Sequence, residues 1–413
     1  MKKTCIPAVC GCIAALLILG IAGVSAARGI GIKAGEGRMH PAIDLDLIYD
    51  TNPGYFPSDN TGLASDLMLR IRPGITLSFP SSKVSFELSG KVGYDYYFGI
   101  DKERTNDLST VSGDADMRLG FNPEGQVSFF IEDNFSRTGD PRYTSLAGRF
   151  DRTDNEAKAH LQIKPGGGAL MFDLAYGFFI DWFDDVGPNS AGMSSYAHRI
   201  YFSGKWKFLP KTAVTVDFDS DLRRYPNSSS WGQNVDVNAI RATVGMLGQI
   251  TPTINLTVKA GYGDSLLPDS YAGKDYRSII GQAEVTYRSG TTFISAGYAR
   301  NFQPVVMFVY FGQDKIYVRY RQQLAGKFTI TADLGFSWLA YGDAVEASTL
   351  AQGTRADGLV AGGLAFNYHI QDWVEVGLAY GVQARFADWT QANNSASVDY
   401  NKHIFTFHAG VDY

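Results

Sequence analysis

The sequence predicts an all-β protein: a single closed antiparallel transmembrane β-barrel of about 18 strands. Three observations predict this fold. Segments with strict apolar–polar alternation recur along the chain, each about 10 residues or longer. No segment of the 413 residues shows the 3.6-residue period of an amphipathic helix, although soluble chains of this size usually contain several helices. Short turns alternate with longer loops from one end of the chain to the other, which favours a barrel over a β-sandwich with shorter strands.

Two consecutive segments show the alternation most clearly. From Leu67 to Phe79 every odd position is apolar, and charged residues such as Arg70 and Arg72 occupy even positions between them. From Val84 to Phe98 the apolar residues fall on even positions instead. Because side chains alternate between the two faces of a strand, each segment has one apolar and one polar face. Residues 170–182 and 328–338 repeat the pattern.

The connections between segments predict the strand count. Eight short turns contain Pro, Gly or Asp, and they lie at Pro80–Lys83, Asn122–Gln126, Pro165–Gly168, Leu209–Lys211, Thr251–Thr253, Arg288–Thr291, Ala325–Lys327 and His369–Trp373. Nine longer segments lie near residues 51–64, 100–110, 136–152, 184–195, 225–236, 264–277, 301–309, 342–357 and 387–400. Together they connect 18 strands, with short turns in the periplasm and longer loops outside. The alternation is ambiguous in residues 300–316 and 355–368, so 16 strands is the alternative.

Closure of the sheet follows from the membrane environment. In hydrocarbon every backbone N–H and C=O must be hydrogen-bonded, and an open sheet would leave two edges unpaired. We therefore expect the first strand, about Met39–Asp50, to pair with the last, about Tyr400–Tyr413. An even number of strands places both ends of the barrel in the periplasm.

The N-terminal residues predict export from the cytoplasm. Lys2 and Lys3 precede an apolar run from Ile6 to Val24, and Val24-Ser25-Ala26 offers small residues for cleavage. We expect residues 1–26 to be a Sec-type signal peptide, 27–38 a periplasmic segment and 39–413 the barrel, in the outer membrane of a Gram-negative cell. An uncleaved membrane anchor is the alternative, because the apolar run is nearly long enough to span a bilayer.

The C-terminal residues predict recognition by the barrel-assembly machinery. An apolar stripe alternates with polar residues and ends on an aromatic residue, and it consists of Phe405, Phe407, Val411 and Tyr413 with Ala409. A terminal stripe of this kind resembles the signal that this machinery reads in outer-membrane barrels. An ordinary edge strand of a soluble sheet is the alternative.

Composition excludes several other classes of function. The only cysteines, Cys5, Cys10 and Cys12, lie in the predicted signal peptide, so the mature chain has no thiolate site or disulfide. Of 37 Lys and Arg residues, loss of Lys2 and Lys3 leaves 35 against 42 Asp and Glu, which argues against nucleic acid as a partner. The six histidines form no recognised catalytic or metal-binding motif. We therefore expect no catalytic, cofactor-binding or metal-binding residues, and no enzyme.

The polar faces of the strands predict a charged interior. The lumen-lining candidates carry both signs of charge, and they are Arg70, Arg72, Glu87, Lys91, Lys205, Asp217, Asp219, Arg319, Arg321, Asp333, Glu375 and Arg385. A lumen with so many charges must be hydrated or densely ion-paired, because unpaired charge in a dry interior is prohibitive. The interior is therefore either a passage or an ion-pair lattice that closes the pore. The opposite, apolar faces are expected to contact outer-membrane lipid and lipopolysaccharide.

Three short stretches carry a resemblance to a known family. They are Gly35–Pro41 running into Tyr49–Pro57, and Glu132–Arg137 with the later Asn155. These stretches resemble a family of outer-membrane β-barrel porins whose members accompany gene clusters for secreted polysaccharide. The resemblance implies a conduit for exopolysaccharide, with a periplasmic polysaccharide-export protein as a candidate partner. A general small-solute porin, or a closed barrel that acts as an adhesin through its surface loops, remains the alternative.

The alternation of long and short connections predicts which residues face the outside of the cell. Tags inserted near Asn189 and Ser229 should be labelled on intact cells by a membrane-impermeant reagent. Tags near Gly167 and Gly326 should be labelled only after permeabilisation, which serves as the control for tag reactivity. Labelling at Gly167 on intact cells would invert the topology.

Overall fold

The computed structural model describes residues 29–58, 65–100, 105, 108–140, 149–184, 190–227, 234–269, 275–306, 308–342, 355–389 and 399–413. The predicted signal peptide, 1–26, lies outside the described residues, as do the tag positions Asn189 and Ser229. None of the helices in the described ranges is long and apolar enough to cross a membrane.

One antiparallel sheet contains all the strands and closes on itself. A short strand, β1 (Ile32–Ala34), folds back on the start of β2, and β2–β19 form an 18-strand barrel in chain order. The barrel strands are β2 (Gly37–Asp50), β3 (Asp66–Phe79), β4 (Val84–Tyr97), β5 (Thr110–Phe121), β6 (Val127–Thr138), β7 (Arg152–Ile163), β8 (Leu170–Phe183), β9 (Ser195–Leu209), β10 (Thr212–Arg224), β11 (Val237–Gln249), β12 (Ile254–Asp264), β13 (Arg277–Ser289), β14 (Thr292–Pro304), β15 (Tyr310–Leu324), β16 (Phe328–Tyr341), β17 (Arg355–Gln371), β18 (Val374–Trp389) and β19 (Tyr400–Asp412).

The predicted closed barrel of 18 strands is confirmed. Each of the eight predicted short turns joins two neighbouring strands. All eight turns lie at the end of the barrel where β2 begins and β19 ends. Residues 300–316 and 355–368, where the alternation was ambiguous, fall in β14, β15 and β17. The 16-strand alternative is therefore wrong.

The turn at Pro165–Gly168 shows why these residues end strands. Gly166 and Gly167 have φ angles of 64° and 77°, in the left-handed region that residues with a Cβ atom rarely adopt. A Cβ added at either position would have no atom within 4 Å, so backbone conformation rather than space requires glycine there.

The two faces of the wall differ in polarity. In β2 the inward side chains Asp44, Asp46 and Asp50 are buried, whereas the outward Leu45 and Leu47 are about 40% exposed. Outward apolar side chains recur in every barrel strand from β2 to β19, which is the surface that a hydrocarbon environment requires. Aromatic rings lie on the outer face near both ends of strands, as expected for interfacial girdles: Tyr94, Tyr96 and Phe98 towards the long loops, and Phe208 and Phe328 towards the short turns.

Pairing of the first and last barrel strands completes the backbone ladder. Strands β19 and β2 pair from Ile404 with Asp50 to Asp412 with Ala42. The amide of Tyr413 donates to the carbonyl of Pro41 over 3.1 Å, and its ring lies 6.1 Å from that of Trp373. The C-terminal stripe therefore lies on the strand that closes the barrel, while its role as an assembly signal stays a prediction.

That role can be tested against the general cost of a charge facing lipid. Deletion of Tyr413, or the double substitution Phe407→Glu with Tyr413→Glu, should leave the protein in the periplasm, where it is degraded. The matched control is Phe336→Glu, on the outer face of β16 and exposed to a similar extent. It should cost less barrel stability than a lipid-facing Arg or Lys, which costs about 2–4 kcal/mol, and the protein should still reach the membrane. Immunoblotting of membrane fractions measures both, and normal levels of the truncated protein would contradict the assembly signal.

Candidate functional site: the charged lumen and its outer seal

Ion pairs cover the inner wall where the barrel closes. Arg70 donates through Nε and Nη2 to the two oxygens of Asp95, at 2.7 and 2.8 Å, in a bidentate pair. Lys91 binds Asp44 at 2.6 Å. Arg72 lies 3.7 Å from Asp44 and 3.4 Å from Asp46. Three of the predicted lumen-lining cations are therefore held by carboxylates on the adjacent strand or, for Lys91, on the next strand but one, which fixes their positions.

A second ion-paired sector covers the opposite wall. Arg199 bridges Glu156 and Asp221, at 3.2 and 3.1 Å. The predicted lumen residues Asp217 and Asp219 pair with Lys259 and Arg241, at 2.8 and 2.6 Å.

Two histidines are each held between carboxylates on the inner face. His160 lies 3.1 Å from Glu132 and 3.3 Å from Asp173. His408 lies 2.6 Å from Asp46 and 3.5 Å from the predicted lumen residue Glu375, which is buried. Both histidines join separate strands of the wall, so they extend the ion-pair lattice from strand to strand.

Other predicted lumen residues face solvent and form no ion pair within 4 Å among the described residues. Glu87, Arg319 and Arg321 are exposed, and Lys205 is partly exposed. All four belong to the half of the barrel nearer the short turns. Arg319 lies over the ring of Tyr317, 5.0 Å from its centroid. Water therefore reaches fixed charges on this part of the inner wall.

The last two lumen-lining candidates, Asp333 and Arg385, are partly or almost fully buried. Asp333 is partly buried opposite Arg319 on β15. Arg385 is almost fully buried, with its guanidinium 4.9 Å from the ring centroid of Tyr400. All twelve candidates lie in barrel strands, but their contact with a solute stays a prediction.

An apolar cluster crosses the lumen at the end of the long loops. We call it the outer seal. It comprises Phe183, Met193, Tyr225, Val305, Val306, Phe308, Phe311, Leu339 and Tyr341, all at most 8% exposed, with Phe150 packed against them. Strands β8 and β16, which contribute Phe183 and Leu339, are eight strands apart in an 18-strand barrel, and so lie on nearly opposite walls. The segment between β14 and β15 therefore folds inward and fills the space between them.

A buried ion pair anchors the outer seal to β17. Arg355 donates from Nε and Nη2 to Asp357, at 2.9 and 2.7 Å, and both side chains are fully buried. Tyr341 also donates to Asp357, at 3.2 Å. The Arg355 guanidinium lies 4.5 Å from the ring centroid of Tyr341 and 5.6 Å from that of Phe308.

A second group of buried contacts involves Asp140 and Arg149, next to Phe150 of the seal. Arg149 donates to the hydroxyl of Tyr97, and Lys402 lies 3.8 Å from the ring centroid of Tyr55. Burial alone would raise the pKa of Asp140, but Arg149, Lys402, Arg70 and Arg152 together outweigh it and hold that pKa below its ordinary value. Asp140 is thus a charged partner of the basic groups around it. Beneath it lies a polar cavity of about 340 Å³ lined by β2–β4 and β17–β19.

Sequence reasoning missed the seal. The run from Val305 to Phe311 was visible as an apolar patch inside a predicted external loop, where apolar residues are unusual. That patch was the available signal. Arg355 and Asp357 lay in the stretch of ambiguous alternation, so neither could be assigned to the interior.

In the ranges that the structure describes, no group of His, Cys, Asp and Glu side chains is arranged to hold a metal ion. The carboxylates of the lumen are bound to Arg, Lys and His instead. This arrangement can hold water and fixed charge of both signs.

Comparisons with known proteins identify the fold. No family model and no curated protein matches the sequence. Among solved structures, OccAB3 of Acinetobacter baumannii is similar with a TM-score of 0.51 and 9% identity, over 92% of this chain and 100% of that one. OpdK of Pseudomonas aeruginosa, solved with vanillate, gives a TM-score of 0.48 and 11% identity, over 91% and 99% of the two chains. At such low identity the likeness to OccAB3 shows the fold alone.

The barrel's own surface determines where it resides. A closed ladder pairs its backbone internally, as crossing hydrocarbon requires, and its apolar outer face with aromatic girdles is suited to contact with lipid rather than water. The chain is therefore an integral outer-membrane β-barrel.

The anchor of the outer seal yields a stability prediction. Asp357→Asn removes the negative charge of a fully buried pair, so Arg355 loses the carboxylate to which it donates two hydrogen bonds, which costs about 3–5 kcal/mol. The folded barrel should convert to its slow-migrating unfolded form at a lower temperature in a heating series on gels. The control Asp264→Asn affects Arg277, which is 60% exposed, and should shift that temperature little. Equal shifts for the two variants would contradict the anchoring role.

Proposed function

We propose that this protein is an outer-membrane conduit for export of a polysaccharide, closed at its external end in the state described here. One observation carries the proposal. On the periplasmic half of the inner wall, below an outer seal of apolar side chains, Arg319, Arg321 and Lys205 present cationic groups to solvent. Arg319 has Asp333 opposite it on β16, but in the described ranges none of the three forms an ion pair within 4 Å. A lumen that is hydrated from the periplasm and closed towards the outside is suited to a solute that arrives from the periplasm.

The chemistry of the wall is compatible with a hydrated polymer. Charges of both signs are fixed in place by their partners, and tyrosines face the lumen beside them. Tyr201 donates to Glu156 at 2.7 Å, and Tyr317 donates to Glu284 at 2.6 Å. Such groups offer hydrogen bonds to hydroxyls, and the solvent-facing cations would attract acidic sugars. The polysaccharide itself is proposed from the sequence resemblance of Gly35–Pro41 and the stretches that accompany it.

A small-solute porin is the second candidate, and the hydrated wall supports it about equally. A small solute needs only a passage through the same charged lumen. The closed-lumen adhesin is favoured by a different observation, namely that the outer seal occupies the lumen from wall to wall. Transport assays therefore have to separate the three functions.

Export can be measured in cells that make a surface polysaccharide. A deletion strain should keep the polymer inside the envelope, with uptake of small solutes little changed. The variant Arg319→Glu with Arg321→Glu should lower export of an acidic polymer severalfold and change the ion selectivity of conductance. The matched control, Lys83→Glu with Lys327→Glu, makes the same change of charge in exposed short turns outside the lumen. It should leave both readouts unchanged.

Heat-dependent gel migration should first show that each variant forms a folded barrel. Normal surface polysaccharide in the deletion strain would overturn the export proposal. Loss of small-solute uptake in that strain would then favour the porin, and loss of cell attachment the adhesin.

A further inference from the structure

The barrel wall divides between β13 and β14. Their pairing runs from Ser289 with Thr292 to Gly281 with Arg300, and stops there. Strand β13 nevertheless continues to Arg277, paired with Asp264 of β12. Strand β14 continues to Pro304, paired with Tyr310 of β15. Above this fork, each of the two strands has a neighbour on one side only among the described strands.

The existing pairing of β13 with β14 sets the register that the two strands would keep if they paired beyond the fork. Extending the pairing of Gly281 with Arg300 by four residues would align Ile280 with Asn301, and Arg277 with Pro304. The lengths of the two strands match over this interval, so the wall could close without any change of register. The two unpaired strand edges leave backbone N–H and C=O groups without a ladder partner on that side.

The position of Phe302 shows that the end of the β14–β15 hairpin lies inside the barrel. Outward side chains of β14 fall on even positions, such as Ile294 and Tyr298, and the same alternation would turn Phe302 towards lipid. Phe302 is instead fully buried, stacked on Tyr276 with ring centroids 4.3 Å apart. Arg241, a residue of the inner wall, donates to the carbonyl of Phe302 at 2.9 Å.

Local groups make this inward position possible. The amide of Phe302 donates to the side-chain oxygen of Asn301 at 2.8 Å, so a side chain supplies an acceptor at the bend. Gly263 makes room for the ring, because a Cβ there would lie 2.6 Å from the Phe302 ring. Arg300 spans the fork, with Nη1 3.3 Å from Asp314 on β15 and Nη2 3.5 Å from Ser278 on β13.

We propose that the tip of the β14–β15 hairpin, from Asn301 to Val306 and from Phe308 to Gln313, is a gate with two docking positions. In the closed position described here it supplies Val305, Val306 and Phe308 to the outer seal. In the open position it leaves the lumen and pairs with the edge of β13 at Arg277–Ile280, which restores a continuous wall. The proposal rests on the conduit function and names the element that regulates it.

Two engineered disulfides test the open position, because the mature chain is predicted to contain no cysteine of its own. Ser278→Cys with Gln303→Cys joins residues that are aligned only when the hairpin docks on β13. The matched control, Thr286→Cys with Ser295→Cys, joins residues already aligned below the fork on the same two strands. Both pairs should cross-link on oxidation, since aligned residues lie within the Cα distance that a disulfide needs. Cross-linking of the control pair alone would overturn the gate.

Conductance in planar bilayers links the position of the hairpin to the pore. The oxidised Ser278→Cys/Gln303→Cys protein should show a mean conductance at least tenfold above its reduced form, and reduction should reverse the change. The oxidised control pair should stay at the low value. A cross-linked hairpin without increased conductance would show that the hairpin moves but does not gate the pore.

A glycine substitution tests the closed position without cysteines. Gly263→Ala should displace Phe302 and raise the open fraction several-fold. The control Gly248→Ala meets no atom closer than 3.8 Å and should leave that fraction unchanged. Equal conductance of the two variants would contradict the closed docking site.

Failure of the gate and failure of the conduit are distinguishable in the same assay. Replacement of residues 302–312 by a short Gly-Ser turn removes the hairpin tip altogether. Steady conductance of that variant without cross-linking at Ser278 would retain the conduit and reject the gate. Absence of conductance in a folded barrel lacking the tip would reject the conduit itself.

Discussion

The rest of this structure depends on one constraint: backbone N–H and C=O groups need hydrogen-bond partners, and the hydrocarbon of a membrane offers none. A strand that crosses hydrocarbon must have a partner on each side, so the sheet has to return to its first strand. The pairing of β19 with β2 meets that requirement, and it places the chain's final aromatic stripe at the point of closure. Alternation of apolar and polar side chains then follows from the same wall, because one face meets lipid and the other meets the lumen.

Within the lumen, a second constraint decides which side chains are rigid. Charges are expensive to bury, and most of the buried charges here are shared between neighbouring strands, as in Arg70 with Asp95 and Arg199 with Asp221. Where Arg319 and Arg321 face solvent, no partner is needed because water supplies the dielectric. The lumen thus combines a fixed, paired lattice with a hydrated cationic stretch.

Sequence periodicity sufficed for the wall but not for what fills it. Strict alternation and turn residues such as Gly166 and Gly167 predicted the strands, the eight short turns and the strand count, because those features depend on local backbone geometry and on one uniform outer solvent. The same alternation would assign Phe302 to the lipid face, yet it lies inside. Its position depends on Tyr276, Gly263 and Arg241, which are distant in sequence and which no local pattern connects to it. Arg355 and Asp357 were missed for a related reason: the alternate positions hold the small residues Ala356 and Gly358, so no apolar stripe marked the outer face of this stretch.

Pro304 forms the last pair that β14 makes with β15, and it makes the two proposed hairpin positions unequal in backbone hydrogen bonding. Proline has no amide hydrogen, so a wall rebuilt against β13 would always lack a donor at its outermost rung. The open position therefore lacks one backbone hydrogen bond at its outermost rung, and it also gives up the contacts of the hairpin with the outer seal. In the proposed gate this asymmetry favours the closed position, so the pore would rest shut without any partner to hold it.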